Sequence, residues 1–162
     1  MQAPRQIEPT KLADYFEVLT KAVFQSGLSW RVVEAKWDGF GDAFAGFDPA
    51  AVAAFTGDDV DRLAADPRII RNRRKIEATI SNAEMMLRLD GDPGGFTGWL
   101  RSHADFDSTV GALRGEFRFL GDMGAYFFLY VVGEKVPPHE EWMKAHQPAP
   151  RRASAARPDR TT

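Results

Sequence analysis

From Leu12 to Val132 the large apolar residues return at three- and four-residue steps, and no stretch sustains the alternation of a half-buried strand. That periodicity admits little except a packed set of amphipathic helices. Leu12, Phe16, Leu19, Val23 and Phe24 form one stripe on a first helix of about four turns. Gly27 ends it, and Ser29 can cap a second helix carrying Trp30, Val33, Trp37 and Phe40. Asp48 before Pro49 reads as a cap followed by proline at the first helical position. Thr56 or Asp58 opens a short helix through Val60 and Leu63. Asp66-Pro67 then predicts the start of a long helix, with Ile69, Ile70, Ile76, Ile80, Met85 and Leu89 toward the core. After the loop "DGDPGGF" (Asp90–Phe96), shorter helices are expected near Thr97–Ser102 and Asp107–Arg114, and an apolar one over Met123–Val132. The class is all-α. With no internal repeat, residues 1–146 read as one domain.

Composition narrows the chemistry. The chain has 162 residues, 44% of them hydrophobic, enough for one sizeable core. It has no cysteine, which removes disulfides and thiolate metal sites together. His103, His139 and His146 lack ligand spacing, so neither a metal nor another cofactor is expected. No apolar run approaches the roughly 20 residues of a membrane span, and "MQAPRQIEPTK" lacks an apolar signal region, so a cytoplasmic protein without a membrane partner is expected. The formal net charge of -2 gives no general attraction to nucleic acid, so any such contact must come from a local patch. The tail Gln147–Thr162, rich in Pro, Ala, Ser and Arg, reads as disordered and basic.

Three stretches carry possible chemistry. "RIIRNRRKIEA" gathers Arg68, Arg71, Arg73, Arg74 and Lys75, either as a solvated helix face or as a grip on phosphates. If one helix turns Ile69, Ile70 and Ile76 inward, the cations are free to face DNA. "FRFLGDMGAYFFLYVVGE" (Phe117–Glu134) has a Leu-Gly-x-x-Gly turn feeding an apolar helix. Gly121 and Gly124 there can let backbone approach a phosphate at a helix N-terminus, or can simply make a tight interhelical turn. Asp122 lies within that turn as an awkward neighbour for an anion. "FQSGLSW" (Phe24–Trp30) is a short loop between two helices, ending in a tryptophan that is either core or platform.

Together, "QSGLSW", "FAGFDPAAVAAFTGDDVDRL", "RIIRNRRKIEATISNA" and "FRFLGDMGAYFFLYVVGE" resemble, in order and spacing, the DNA-3-methyladenine glycosylase I family of the helix-hairpin-helix glycosylase superfamily. The resemblance runs from about Leu12 to Gly133. It implies a base-excision repair enzyme that extrudes an alkylated purine such as 3-methyladenine from duplex DNA and hydrolyses its glycosidic bond. Methylation at N3 makes adenine cationic, so the base leaves readily. A ring stacked on that cation favours it by about 0.5–2 kcal/mol. Trp30 falls where the family stacks the flipped base, with Phe24 and Tyr15 as further base-binding candidates. Gln25, Gly27 and Leu28 fall in the loop that fills the gap in the duplex, where Leu28 would act as an apolar wedge. Arg71, Arg73, Arg74, Lys75, Gly121 and Gly124 are the backbone-contact candidates.

The chain also departs from the family pattern. The cysteines of the family's zinc clamp are absent, as is an opening segment whose tyrosine helps form the base pocket. The acidic residue that reads the base falls at Ala22, with Glu17 or Tyr15 as possible substitutes. Some helix-hairpin-helix glycosylases, although not this family, place a carboxylate after the hairpin's second helix. Glu140 or Glu141 in "PPHEEW" comes near that place, and these are the catalytic candidates beside an acidic first helical turn. A monomer is expected. Two rivals share the scaffold: a non-catalytic binder of DNA lesions, and a helical protein-interaction module.

Overall fold

The hub of the fold is α6 (Arg73–Asp90), against which α1 (Leu12–Gln25), α4 (Pro49–Ala53), α5 (Gly57–Ala64) and α7 (Gly95–Leu100) pack in a computed structural model that describes residues 3–146. Helix α1 also lies along α9 (Asp122–Val131), which follows α8 (Phe106–Glu116) through a five-residue turn. Helices α2 (Trp30–Ala35), α3 (Trp37–Ala43) and α10 (His139–His146) complete the described residues, among which there is no strand. The all-α expectation holds. No helix among the described residues is long and apolar enough to cross a membrane. The expected basic tail, residues 147–162, lies outside the described residues.

The stripes read from the sequence converge on one core in which Phe16, Phe24, Phe40, Phe44, Phe96 and Phe128 are fully buried. Helix starts follow local polar chemistry. Asp48 accepts from the Ala50 amide at 3.1 Å ahead of Pro49, and Thr56 and Asp59 form a reciprocal capping box. Asp105 accepts from Ser108 N at 2.8 Å and opens α8.

Two helix boundaries differ from the periodicity. The stripe through Trp30, Val33, Trp37 and Phe40 belongs to two helices, broken at Lys36. Lys36 turns its amine to Pro67 O at 3.0 Å, and Gly39 presses on the next residue so closely that a Cβ there would lie 2.4 Å from Arg68 O. Nor does Asp66-Pro67 start the long helix. The Asp66 carboxylate accepts from the Arg68 backbone amide at 2.9 Å and from its guanidinium Nη2 at 2.8 Å. A carboxylate that satisfies nearby donors this way stabilises a turn in place of a helix. The chain therefore remains irregular until Asn72 accepts from Lys75 N at 3.1 Å and caps α6.

A left-handed turn at Ala45, Gly46 and Phe47 has φ of 54°, 64° and 62°, and Phe119 in the α8–α9 turn has φ of 58°. The first of these carries the buried Phe47 ring onto Trp37, with centroids 5.1 Å apart. Near the α8–α9 turn, Asn82 of α6 pairs with both backbone groups of Arg118, accepting from N at 2.8 Å and donating to O at 3.1 Å. This buried amide fixes the turn's position over the hub helix.

Candidate nucleic-acid interface

A cavity of about 730 Å³ opens where the α1–α2 loop, the N-terminal half of α9 and the face of α10 meet. Leu28, Trp30 and Met123 stand on its lip and are 43%, 42% and 47% exposed, an unusual concentration of large apolar groups in contact with solvent. Gln25, Ser26 and Gly27 line one side, and Gly121, Phe127 and Tyr130 another. His139, Met143 and His146 of α10 close the third, while Ala22 lies on its wall. No carboxylate among the described residues lines it. The chemistry on offer is aromatic and apolar, with hydrogen-bonding groups at the edges.

The loop on the lip is built by its backbone. Gly27 has φ of 76°, a left-handed conformation that glycine adopts without penalty. Leu28 N donates to Gln25 O at 3.0 Å, turning the chain so that Leu28 and Trp30 project outward. Below, the Lys75 amine donates to Phe24 O at 3.0 Å and to Ser26 O. Burial pushes the Lys75 amine below its ordinary pKa. Gln25 keeps its Nε2 buried with no hydrogen-bond partner among the described residues.

This geometry redistributes the residues expected from the sequence. Trp30, Gln25, Gly27, Leu28, Gly121 and Gly124 come together around one cavity. Phe24 does not join them: it is fully buried and meets Phe40 edge-on at 4.7 Å. The heptad-like stripe of α1 sends it inward, which corrects its assignment to the base site. Tyr15 is also a core residue. Its hydroxyl pairs with Thr97 Oγ1 at 3.1 Å and its ring packs against Phe96 at 5.1 Å, away from the cavity wall. Glu17 cannot stand in for the missing acid, because its carboxylate accepts from Trp37 Nε1 at 3.0 Å outside the cavity. Glu140 and Glu141 are exposed on the side of α10 away from the cavity, since the helix turns Trp142 inward and presents Met143 and His146 to the site. Neither carboxylate is placed to act on a base held there.

The cationic run divides in the same way. Lys75 is buried with 4% exposure, so it faces α1 and not phosphate, which corrects the sequence assignment. Arg68 is held by Asp66, and Arg73 by Asp61 at 2.6 Å, although both guanidinia remain partly exposed. Arg71 and Arg74 are exposed and make no ion pair among the described residues. At the α8–α9 turn, Gly121 is exposed at the N-cap of α9. Gly124 plays another part: a Cβ there would lie 2.9 Å from Leu120 Cδ1 and 3.7 Å from Ala22 Cβ. It is glycine so that α9 can close on α1. Asp122 is partnered by Arg114 at 2.8 Å, which offsets the acid in the turn.

The α10 wall had no clear sequence signal. Tyr126, Trp142 and His146 stack in series, with Trp142 4.1 Å from Tyr126 and 4.0 Å from His146. The Tyr126 phenol, raised above its ordinary pKa by burial, donates to Pro137 O at 2.7 Å. His146 Nδ1 lies 2.9 Å from Trp142 O, and a carbonyl can only accept, so Nδ1 is the donor. The spacing His139–Trp142–Met143–His146 is three- and four-residue periodic, which was the available clue. No group of three or more His, Asp or Glu residues among the described residues is arranged to hold a metal ion.

The chain is 42% identical over 80 residues to DNA-3-methyladenine glycosylase 1 of Escherichia coli (strain K12), a match covering 48% of this chain and 43% of that relative. It is 36% identical over 75 residues to DNA-3-methyladenine glycosylase of Haemophilus influenzae, covering 46% of this chain and 40% of that one. The matched segments thus span less than half the length of these curated relatives. A solved structure of a 3-methyladenine DNA glycosylase I variant in complex with 3-methyladenine superposes with a TM-score of 0.71 at 26% identity, covering 83% of this chain and 86% of that one. The family model for methyladenine glycosylase matches residues 8–118, and the chain belongs to that family.

Proposed function

We propose that this protein is a DNA glycosylase that extrudes an N3-methylated purine, 3-methyladenine foremost, from duplex DNA and hydrolyses its N-glycosidic bond. The observation that carries the reading is the convergence of an exposed Trp30, the Gln25–Leu28 loop and the exposed Gly121 turn on one cavity. In this reading Arg71 and Arg74 grip phosphates, and the amides at the start of α9 approach another through Gly121. Leu28 enters the space vacated by the base, and the extruded ring lies against Trp30.

The chemistry then asks little of acid catalysis. The methylated base already carries positive charge, so as the C1′–N9 bond breaks its electron pair returns to the purine and neutralises it. Water adds to the sugar carbon and releases its proton to solvent. This fits a cavity without a carboxylate. Trp30 favours the cationic base over neutral adenine by about 0.5–2 kcal/mol, and an undamaged base also resists extrusion. The absence of the family's acid at Ala22 also supports a second reading, a binder that recognises the lesion without cutting it.

The two readings separate in one assay. Alkylated duplex DNA is incubated with the protein and the released purines are resolved by chromatography. Free 3-methyladenine in proportion to enzyme supports the glycosylase. Lesion-dependent binding with no released base supports the binder and rejects the glycosylase.

A further inference from the structure

We infer that Lys75 is a positioning residue that sets the conformation of the Gln25–Leu28 loop by tying the C-terminal carbonyls of α1 to the first turn of α6. The inference rests on the proposed reading of that loop as the element that enters the duplex. Lys75 follows two exposed arginines and belongs by sequence to a basic patch, yet its amine is turned away from them. It donates to Phe24 O at 3.0 Å and to Ser26 O, groups on either side of Gln25. The last carbonyls of a helix have no partners within it, and leaving them unpaired beneath a packed surface is costly.

Three features make this more than satisfaction of a helix end. First, no carboxylate among the described residues pairs with the buried ammonium, and the loop's carbonyl oxygens are its acceptors. Second, the backbone of Lys75 is itself fixed, because its amide donates to the Asn72 side chain at 3.1 Å. The amine is therefore a rigid strut from the α6 cap to the loop. Third, side-chain packing does little to hold the loop: a Cβ at Gly27 would meet nothing within 4 Å, while Leu28 and Trp30 are exposed. The same strut couples the loop to Arg71 and Arg74, which flank the α6 cap on the surface. A phosphate grip at the start of α6 and the insertion of Leu28 thereby share one frame.

The test uses duplex DNA with a tetrahydrofuran abasic analogue beside a fluorescent aminopurine, whose brightening on unstacking reports loop insertion without any bond cleavage. Wild type, Lys75→Met and Lys75→Cys are compared, the last before and after aminoethylation. Because the chain has no native cysteine, that reaction restores an amine at position 75 alone. Lys75→Met and unmodified Lys75→Cys are expected to bind undamaged duplex as wild type does. Their lesion-dependent brightening should need roughly 10- to 100-fold more protein, and aminoethylation should restore it. Full brightening by either unmodified variant overturns the inference and leaves the functional reading standing. Absence of brightening and of base release in wild type removes the functional reading, and this inference with it. If both variants lose the fold, Lys75 supports the core and not the loop, and the positioning role is wrong.

Discussion

Gln25 illustrates how a single side chain can be fitted to a partner that the described residues do not supply. Its Nε2 is buried and unpaired at the cavity wall. A buried amide donor without an acceptor costs about 1–3 kcal/mol, so an apolar residue of similar size should be neutral or stabilising there. Gln25→Met is therefore expected to melt at or above the wild-type temperature while losing lesion-dependent affinity. A lowered melting temperature with unchanged lesion affinity would return Gln25 to a purely structural role. Gly27 makes the opposite case. A Cβ would meet nothing within 4 Å, but the φ of 76° is unfavourable for any L side chain. Gly27→Ala should cost about 1–2 kcal/mol through backbone strain alone, measurable by denaturant unfolding.

At the scale of elements, the irregular segment before α6 determines which charges face outward. Neutralising Arg71 or Arg74 should weaken binding to all duplexes alike and lower the salt slope by about one unit. Neutralising Lys75 should leave that slope unchanged. Equal slopes for all three variants and wild type would make this run a solvated surface. The turn itself depends on Asp66, which is buried with its carboxylate held below the ordinary range chiefly by the Arg68 guanidinium. A depressed carboxylate contributes stability above its unfolded pKa, and that contribution disappears as pH falls through the folded value. Asp66→Asn should therefore be less stable than wild type at neutral pH, with the two converging in acid below the normal carboxylate range. Unfolding free energies measured across that range decide it. Gly39 supports the same turn from the other side. The clash with Arg68 predicted for Gly39→Ala involves backbone, so that variant should melt well below wild type.

For the whole molecule, the helical stripes were legible because burial repeats every three to four residues, and nearly all expected core positions face inward. Capped starts were legible at Asp48 and Thr56, where the side chain's own hydrogen bond makes the boundary. The start of α6 was not, since Asp66 and Asn72 are both able caps, and the bonds of Asp66 to Arg68 together with the packing of Gly39 on Arg68 decide between them. Trp30 and the loop were found through motif resemblance. The direction of the Lys75 amine was hidden because a lysine among arginines carries no mark of burial. The α10 wall was hidden as well, because its histidines and methionine acquire meaning only once α10 folds over α9.

The central claim is that an extruded methylated base lies against Trp30 and leaves from there. It is tested most directly by single-turnover release of 3-methyladenine from a methylated duplex, with wild type and Trp30→Ala both in saturating excess. Loss of stacking should remove about 1–3 kcal/mol, or roughly five- to 150-fold in rate. Because Trp30 is 42% exposed, the melting temperature should hardly move, whereas truncating a core tryptophan costs about 3–5 kcal/mol. The account predicts rapid release by wild type and slow release by a variant of unchanged stability. No release by wild type, or equal release by the two proteins, would contradict it.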